Sequence, residues 1–588
     1  MKHRIFGFTC VLASLLLAPM VQAQENLVDV LLDSNNGTRL EVRSLFDPMP
    51  PSGYAPLRIV ATNGTARDAV WRLDFSSSTT DYRRNNVHAS TLSLPIPAGA
   101  TQTAVFLAPL AVDYGDSGYG SNNHSFNGTL TGPYPNTFSG HNNRTAGFPA
   151  IAISKTLADS SLPRLNDDLE RRQKGASSYG RRDHIFGSRF TPADLPEDWL
   201  AFSGFDYVLL TDTEWQSLKS GTRNALLQWV RLGGKLHFYA TSLPAPGLPK
   251  DDETHSLGQI KSFTWNGSLL PAVYTVERYW NEPERYEHLR NEHARGTEAW
   301  SLLEKLSARQ FNSWQVLLFL VIFGVLVGPV NLYVLAPSGR RHRLFFTTPL
   351  LSLGASAVMV GLILIQDGIG GVGARVVFIN VEPIETTAYV TQKQISRTGV
   401  LLGAGFELKQ PALVEPLALP ASEWVKLQNT SHSQPVNLTQ EGAARGGNFF
   451  QSRAEQAQMI RAAVSTRARL EVQPGATPDA APTLVSALGF TLEEMFYAGP
   501  DGTVWSLKAP LATGQKAELV KVQPSQLVEW WKKHYPLIKI WELHKLTSIL
   551  PNHFFATAKA APGFTQETLS SIRWQEDQVL VYGSVTPP

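Results

Sequence analysis

Four stretches of this chain carry residue types that could do chemistry. Gly115-Asp116-Ser117-Gly118 copies the string around a serine-protease nucleophile. That chemistry needs a histidine base and a buried aspartate, both preceding the serine in the chymotrypsin order. Between residue 24 and Ser117 the single histidine is His88, without the customary surroundings, and the Gly, Ser and Asn residues from Tyr114 to Asn123 describe a loop. Asp113 and Asp116 lack the ligand spacing of a calcium loop. His288 and His293, with Glu287 and Glu292, stand five residues apart, which on a helix sends the imidazoles to diverging faces, unlike the i, i+4 pair of a zinc helix. Gly368-Ile369-Gly370-Gly371-Val372-Gly373 satisfies G-x-G-x-x-G. It follows an apolar helix and precedes a strand, the reverse of the strand-to-helix order a pyrophosphate site needs, and is expected to be a juxtamembrane swivel. Trp530-Trp531-Lys532-Lys533-His534-Tyr535 combines aromatic faces with cations, a pairing suited to sugar rings, lipid headgroups or a partner's groove. Trp530, Trp531, Lys532 and Lys533 are therefore taken as a candidate interaction surface.

Composition narrows the chemistry further. Cys10 is the only cysteine, and it lies in a segment expected to be removed. The remaining chain offers no thiolate nucleophile, no disulfide and no cysteine metal ligand. With 43% apolar residues and 14 tryptophans it can build sizeable hydrophobic cores. A net charge of +2 and a pI near 8.4 give no reason to expect nucleic acid as a partner. No catalytic residue, cofactor or metal site is assigned.

The elements that position these residues are organised by a hydrophobic hairpin. Val316 to Leu335 and Leu344 to Ile365 are apolar runs of about 20 residues, each long enough to cross a hydrocarbon core of ~30 Å as a helix. The loop between them, residues 337–343, holds Arg340, Arg341 and Arg343 and no acid, so the positive-inside rule puts it in the cytoplasm. Both flanking regions then lie across the membrane from it. At the N-terminus Lys2, His3 and Arg4, an apolar run from Ile5 to Pro19 and Val21-Gln22-Ala23 make the pattern of a secretory signal over residues 1–23. The expected location is a bacterial inner membrane, crossed twice, with both large regions periplasmic.

Residues 24–145 alternate apolar and polar in short runs, such as Leu40–Leu45, Ala55–Ala61, Ala69–Phe75, Leu92–Gly99 and Thr103–Leu107, separated by turn signals including Asn63-Gly64. This predicts an immunoglobulin-like β-sandwich. From 146 to 276 the pattern changes to continuous apolar strands, Phe148–Ser154 and Phe205–Leu210. Thr213 as N-cap opens a helix from Glu214 to Arg231, Gly233-Gly234 ends it, and Lys235–Ala240 returns as a strand. That βαβ unit predicts a flavodoxin-like α/β domain. Residues 277–313 form a charged juxtamembrane helix with Ala299, Trp300, Leu302, Leu303 and Leu306 on one side, residues 314–336 and 344–366 the two spans, and 367–588 a second β-rich domain. In the last, Met495–Tyr497 and Val504–Leu507 flank a Gly499-Pro500-Asp501-Gly502 hairpin turn, Asn429 to Thr466 is expected to be a long loop with one helix, and a helix starts near Ser525.

The stretch FDYVLLTDTEWQSLKSGTRNALLQWVRLGGKLHFYA resembles the core of class I glutamine-amidotransferase-like domains. LVGPVNLYVLAPSGRRHRLFFTTP is similar to the membrane hairpin of uncharacterised bacterial membrane proteins that carry such a domain outside the membrane. The resemblance implies an open α/β sheet. Glutaminase chemistry in that family requires a cysteine on a strand-to-helix elbow, so the copy implied here is catalytically silent. Open α/β sheets hold ligands at the carboxyl ends of their strands, which makes Ser154, Thr211, Asp212 and Thr213 the candidate crevice.

The expected function is a non-catalytic, membrane-anchored scaffold or binding subunit of an envelope complex, with other inner-membrane or periplasmic proteins as partners. One alternative is a carbohydrate-polymer-binding subunit of an exopolysaccharide system, since the domain order resembles, at fold level only, the periplasmic subunit of bacterial cellulose synthase. Another is a hydrolase with a non-cysteine nucleophile, for which no G-x-S-x-G elbow is present.

Overall fold

The computed structural model describes residues 26–81, 84–111, 123–143, 148–174, 185–250, 252–255, 257–280, 313–417, 437–475, 480–538 and 549–586. The signal-like segment, the Gly115–Gly118 string with Asp113 and Asp116, and the His288/His293 segment lie outside them.

The N-terminal region is a two-sheet sandwich. Strands β1 (Asn26–Asp33), β2 (Thr38–Ser44), β4 (Tyr54–Thr62) and β7 (Thr101–Pro109) form one sheet, all neighbours antiparallel. The second is built on β5 (Ala69–Asp81), β6 (Arg84–Ile96), β8 (Asn123–Thr131) and β9 (Asn136–Asn143). The period-2 pattern decides which side chains meet. Leu40, Val42, Leu57 and Ile59 on the first sheet share a core with Trp71, Leu73, Phe75, Leu94 and Ile96 on the second. The short strand β3 (Phe46–Asp47) leaves the sandwich and pairs elsewhere.

The next region is a mostly parallel sheet. Strands β10 (Ile151–Ser154), β11 (Ser188–Phe190), β12 (Tyr207–Thr211), β13 (Lys235–Ala240) and β15 (Gly258–Thr264) run parallel, in the order β15-β13-β12-β10-β11. Its edges are closed by antiparallel β14 (Asp252–His255) and by β3 from the sandwich. Helix α1 (Lys155–Lys174) follows β10, and α2 (Asp212–Ser217) and α3 (Ser220–Arg231) follow β12. The single helix expected from Glu214 to Arg231 is thus two, broken at Leu218-Lys219, and it starts two residues earlier. Thr211, not Thr213, is the N-cap, because a Thr-x-x-Glu capping box satisfies both ends of the first turn. Helix α4 (Ala272–Trp280) packs beside α1 and runs through the boundary expected at 276, with Val276 and Tyr279 fully buried.

Among the described residues, two helices are long and apolar enough to cross a membrane. The first comprises α5 (Ser313–Val325) and a π-helical continuation, Leu326–Leu335, around Pro329. Proline lacks the N–H of the regular ladder, which accounts for the change of winding. The second is α6 (Leu344–Asp367). Asn331 Nδ2 donates to Thr348 Oγ1 at 2.9 Å, the kind of side-chain hydrogen bond that fastens apolar helices to one another.

The C-terminal region comprises β16 (Gly371–Glu382), β17 (Thr387–Thr398), β18 (Phe406–Glu407), β19 (Ala412–Leu417), β20 (Asn437–Glu441), β21 (Ala444–Gly447), β22 (Glu455–Ser465), β23 (Leu470–Gln473), β24 (Thr483–Ser486), β25 (Glu494–Ala498), β26 (Val504–Ser506), β27 (Lys516–Glu518), β28 (Val520–Lys521), helix α7 (Pro524–Ile538), β29 (His553–Ala558) and β30 (Ile572–Ser584). Nine of these strands make one sheet, in the order β19-β22-β17-β16-β30-β29-β25-β26-β28. Its centre is buried on both faces: Val377, Ile379 and Val381 face one core, Val376 and Phe378 the other, which is why β16 has a continuous apolar run. The hairpin turn at 499–502 joins β25 to β26 as expected. Within Asn429 to Thr466, the described residues from 437 form β20, β21 and β22 rather than a loop with a helix.

The largest departure from the expected organisation is that the two regions flanking the hairpin interlock. Strand β20 pairs in parallel with β6, and β21 and β18 follow it, so the second sandwich sheet reads β18-β21-β20-β6-β5-β8-β9. Tyr389 and Leu413 of the C-terminal region are buried in the core beneath α3. The G-x-G-x-x-G stretch is not a swivel either. Gly370 N donates to Val400 O, Gly371 N to Ser571 O, Val400 N to Gly368 O and Gly399 N to Gly370 O. Four backbone hydrogen bonds fix it, and Gly368 and Gly370 take the positive φ that favours glycine.

Candidate functional site

Ser154, Thr211, Asp212 and Thr213 do gather at the carboxyl edge of the parallel sheet, as β10 and β12 are adjacent. Several of the donors at that edge are nevertheless already taken. Glu214 Oε2 accepts from Thr211 N at 2.9 Å and from Thr211 Oγ1 at 3.0 Å, while its Oε1 accepts from Thr156 N, at the start of α1, at 3.3 Å. A helix N-terminus offers free N–H donors to an anion, and here an internal carboxylate takes that position. Ser154 and Thr211 are buried, Asp212 is half-buried and Thr213 is exposed, so the four do not line one open surface.

The Trp530–Lys533 surface requires a correction. On α7 the two tryptophans are 6% and 7% exposed and pack with Phe555, Phe378 and Tyr582 in the core of the large sheet. Lys532 and Lys533 are exposed, and Lys533 Nζ lies 3.6 Å from Glu494. The helical repeat places adjacent residues 100° apart, but the groove against the sheet is wide enough to take both rings. Neither tryptophan therefore offers an aromatic platform beside the lysines.

Polar residues that sequence reasoning did not single out converge where the two regions meet. A cleft there is lined by Tyr54, His88, Leu413, Glu415, Gln440 and Arg445, among others. Its volume of ≈ 30 Å³ is room for about two waters. Tyr54 donates to Gln440 Oε1 at 2.9 Å across the junction, and burial pushes its phenol pKa up. His88, opposite Leu438 in the β6–β20 ladder, is buried, which pulls its pKa down to about 4 and keeps it neutral.

The second contact is ionic. Arg231, in the last turn of α3, reaches Glu382 at 3.1 Å and Glu385 at 2.8 Å, at the turn between β16 and β17. Burial pulls the guanidinium pKa down, but the two carboxylates outweigh it and the net shift is upward. Tyr389 donates a short hydrogen bond to Glu385, and its own pKa is raised by burial and then by that carboxylate. Arg461 Nη1 donates at 2.6 Å to Leu232 O, the carbonyl that ends α3. Apart from Tyr389 and Glu385, which are four residues apart, these partners are distant in sequence, so no local pattern announces them.

A third polar cluster sits under α4. His237 Nδ1 lies 2.8 Å from Tyr279 Oη, Tyr279 Oη is 3.2 Å from Tyr239 Oη, and Arg278 donates to Tyr239 at 3.2 Å. Burial, and then the charges of Lys235, Lys261 and Arg278, push the His237 pKa well below its ordinary value. His237, Tyr239 and Tyr279 are buried and Arg278 is exposed, and the hydrogen bonds fasten α4 to the sheet like a strut. Among the described residues no group of three or more His, Cys, Asp or Glu side chains is placed to hold a metal ion.

No protein-family model matches the sequence and no curated protein matches it. Among solved structures, parts of the chain are similar to a red sea bream transglutaminase (16% identity, 18% of this chain and 16% of that one, TM-score 0.14) and to CsgH of R. palustris (11% identity, 17% and 89%, TM-score 0.12). A longer alignment, to a Bacteroides uniformis β-glucuronidase 2 calcium-binding mutant, spans 93% of this chain and 61% of that one at 10% identity and TM-score 0.14. Overlaps this slight carry no statement about activity.

Proposed function

We propose that the chain is a non-catalytic scaffold or binding subunit, held in a bacterial inner membrane by its apolar hairpin, with both flanking regions on the periplasmic side. The observation that carries this reading is the interlock: β20 extends the N-terminal sandwich sheet, and Arg231 meets Glu382 and Glu385 across the hairpin in sequence. A ladder and a buried ion pair cannot form through a bilayer, so both regions share a side, and Arg340, Arg341 and Arg343 favour the cytoplasm for the loop between the helices. The parallel order of β10–β13 and β15, with helices following β10 and β12, supports a flavodoxin-like, amidotransferase-like core. Glu214 takes donors from two helix starts at its ligand edge and the chain beyond residue 23 has no cysteine, so we assign it a structural task, displaying the outer sheet faces to other envelope proteins.

The test is crosslinking in cells, followed by purification of the tagged protein in mild detergent and mass spectrometry. The scaffold reading expects a reproducible set of envelope proteins that disappears when the β6–β20 junction is disrupted. Recovery of the protein alone, or with glycan attached, contradicts it.

A further inference from the structure

The loop between β17 and β18 is built like a membrane contact. Gly399-Val400-Leu401-Leu402-Gly403-Ala404-Gly405 contains no polar side chain, unlike ordinary solvated loops. Leu401 folds back on the core, while Leu402 is 90% exposed. The place of this loop is fixed by the hydrogen bonds already described. Val400 N donates to Gly368 O, and Gly368 is the residue that caps α6. Ile369, the next residue, is 68% exposed and bridges to Val400. Two large apolar side chains thus stand in the open within a residue or two of the point where an apolar helix ends.

Their neighbours complete the pattern of an interface. Arg453, whose N–H donates to Gly399 O, and Arg573, paired with Val372 in the β16–β30 ladder, are exposed at the same end. Trp574 is half-buried one position further up β30. Apolar tips, then cations and an indole at headgroup height, is the order in which side chains meet a bilayer surface. The opposite end of the same hairpin supplies a contrast. Ile384, in the turn after β16, is also 90% exposed, but β16 is 12 residues long, which at ~3.3 Å per residue separates the two ends by ~40 Å.

We propose that Leu402 and Ile369 insert into the phospholipid interface beside α6, with Arg453 and Arg573 at the level of the phosphates, so that the β16–β17 hairpin stands on the membrane by one end. This rests on the reading of α6 as a membrane span. The occupant is the lipid surface itself, because the chain continues into the bilayer at this point.

The test uses single cysteines in a Cys10→Ser background of the full-length protein, at Leu353 in α6, Ile369, Leu402 and Ile384. Each is labelled with a polarity-sensitive fluorophore after reconstitution into nanodiscs of phosphatidylcholine and phosphatidylglycerol containing lipids spin-labelled at the headgroup and at mid-chain. The expected result is quenched, blue-shifted emission at 353, 369 and 402 and unquenched, water-like emission at 384. Quenching at 353 with water-like emission at 369 and 402 overturns the loop contact and leaves the anchor standing. Quenching at 384 as strong as at 402 overturns the one-ended stance. Absence of quenching at 353 removes the anchor, and the loop contact with it.

Discussion

The carboxyl edge of the parallel sheet and the junction between the two regions flanking the hairpin both gather polar side chains, and they use them differently. At the sheet edge one carboxylate, Glu214, satisfies donors from two helix starts that a ligand would otherwise meet. At the junction, groups from distant parts of the chain satisfy one another, Arg231 with Glu382 and Glu385 and Tyr54 with Gln440, and Tyr389 adds a hydrogen bond to Glu385 from four residues away. Removing a partner at the edge costs a helix cap, whereas removing one at the junction leaves a buried charge or donor behind. The difference teaches that convergence of polar groups is not by itself a binding site; the question is whether their hydrogen-bonding capacity is already used.

That contrast predicts a ranking of effects. Arg231→Ala strands two carboxylates at the junction, of which Glu382 is only 8% exposed. Breaking such a pair costs about 3–5 kcal/mol. Denaturant unfolding in detergent should register that loss, and a change below about 1 kcal/mol, the range of exposed pairs, would mean the ion pair does not hold the regions together.

Acid should act next. His88 is neutral in the folded protein with a pKa of about 4, against 6.5 in the unfolded chain. Below pH 6.5 the unfolded state binds the extra proton, so stability present above that pH declines as pH falls toward 4 and is level below it. The full effect of such a shift is about 3 kcal/mol. Unfolding midpoints measured from pH 7 to 4 should show this slope, and His88→Leu should flatten it; an unchanged slope in the variant would place the acid sensitivity elsewhere.

The sheet edge should respond less. Thr211→Ala removes a capping box and is expected to cost about 1 kcal/mol. A loss as large as that of Arg231→Ala would equate the two regions and break the comparison. Smallest of all is Asp212→Ala, at a half-buried position, expected to shift stability by no more than about 0.5 kcal/mol and to leave partner recovery intact. Loss of partners in that variant would reopen the crevice as a site.

Elements governed by local periodicity were legible in the sequence. Lys235–Ala240 and the turn at 499–502 follow from patterns a few residues long, and the two apolar helices from long apolar runs. The sandwich strands follow from alternation that a one-sided core imposes. What could not be read was set by partners far away. Residues 437–447 look like loop because their strands are short, polar and rich in glycine, and they become strands by adding to the free edge of β6. Trp530 and Trp531 suggested a surface because adjacent aromatics beside lysines are common there; the core of the large sheet takes both. The candidate crevice residues stand at one edge of the sheet, and Glu214, which takes donors there, was legible only as the fourth residue of a Thr-x-x-Glu cap.

The shared side of the two regions can be tested with a disulfide across the β6–β20 ladder. Ala89 and Thr439 are opposed in parallel register, within the Cα separation of about 4.4–6.8 Å that a disulfide spans. In a Cys10→Ser background, Ala89→Cys with Thr439→Cys would be oxidised in native membranes, and the loop at 337–343 then cleaved at an inserted protease site. The interlock predicts fragments that stay joined on a non-reducing gel and separate on reduction. Fragments that separate without reductant, with both thiols open to a water-soluble maleimide, would contradict it.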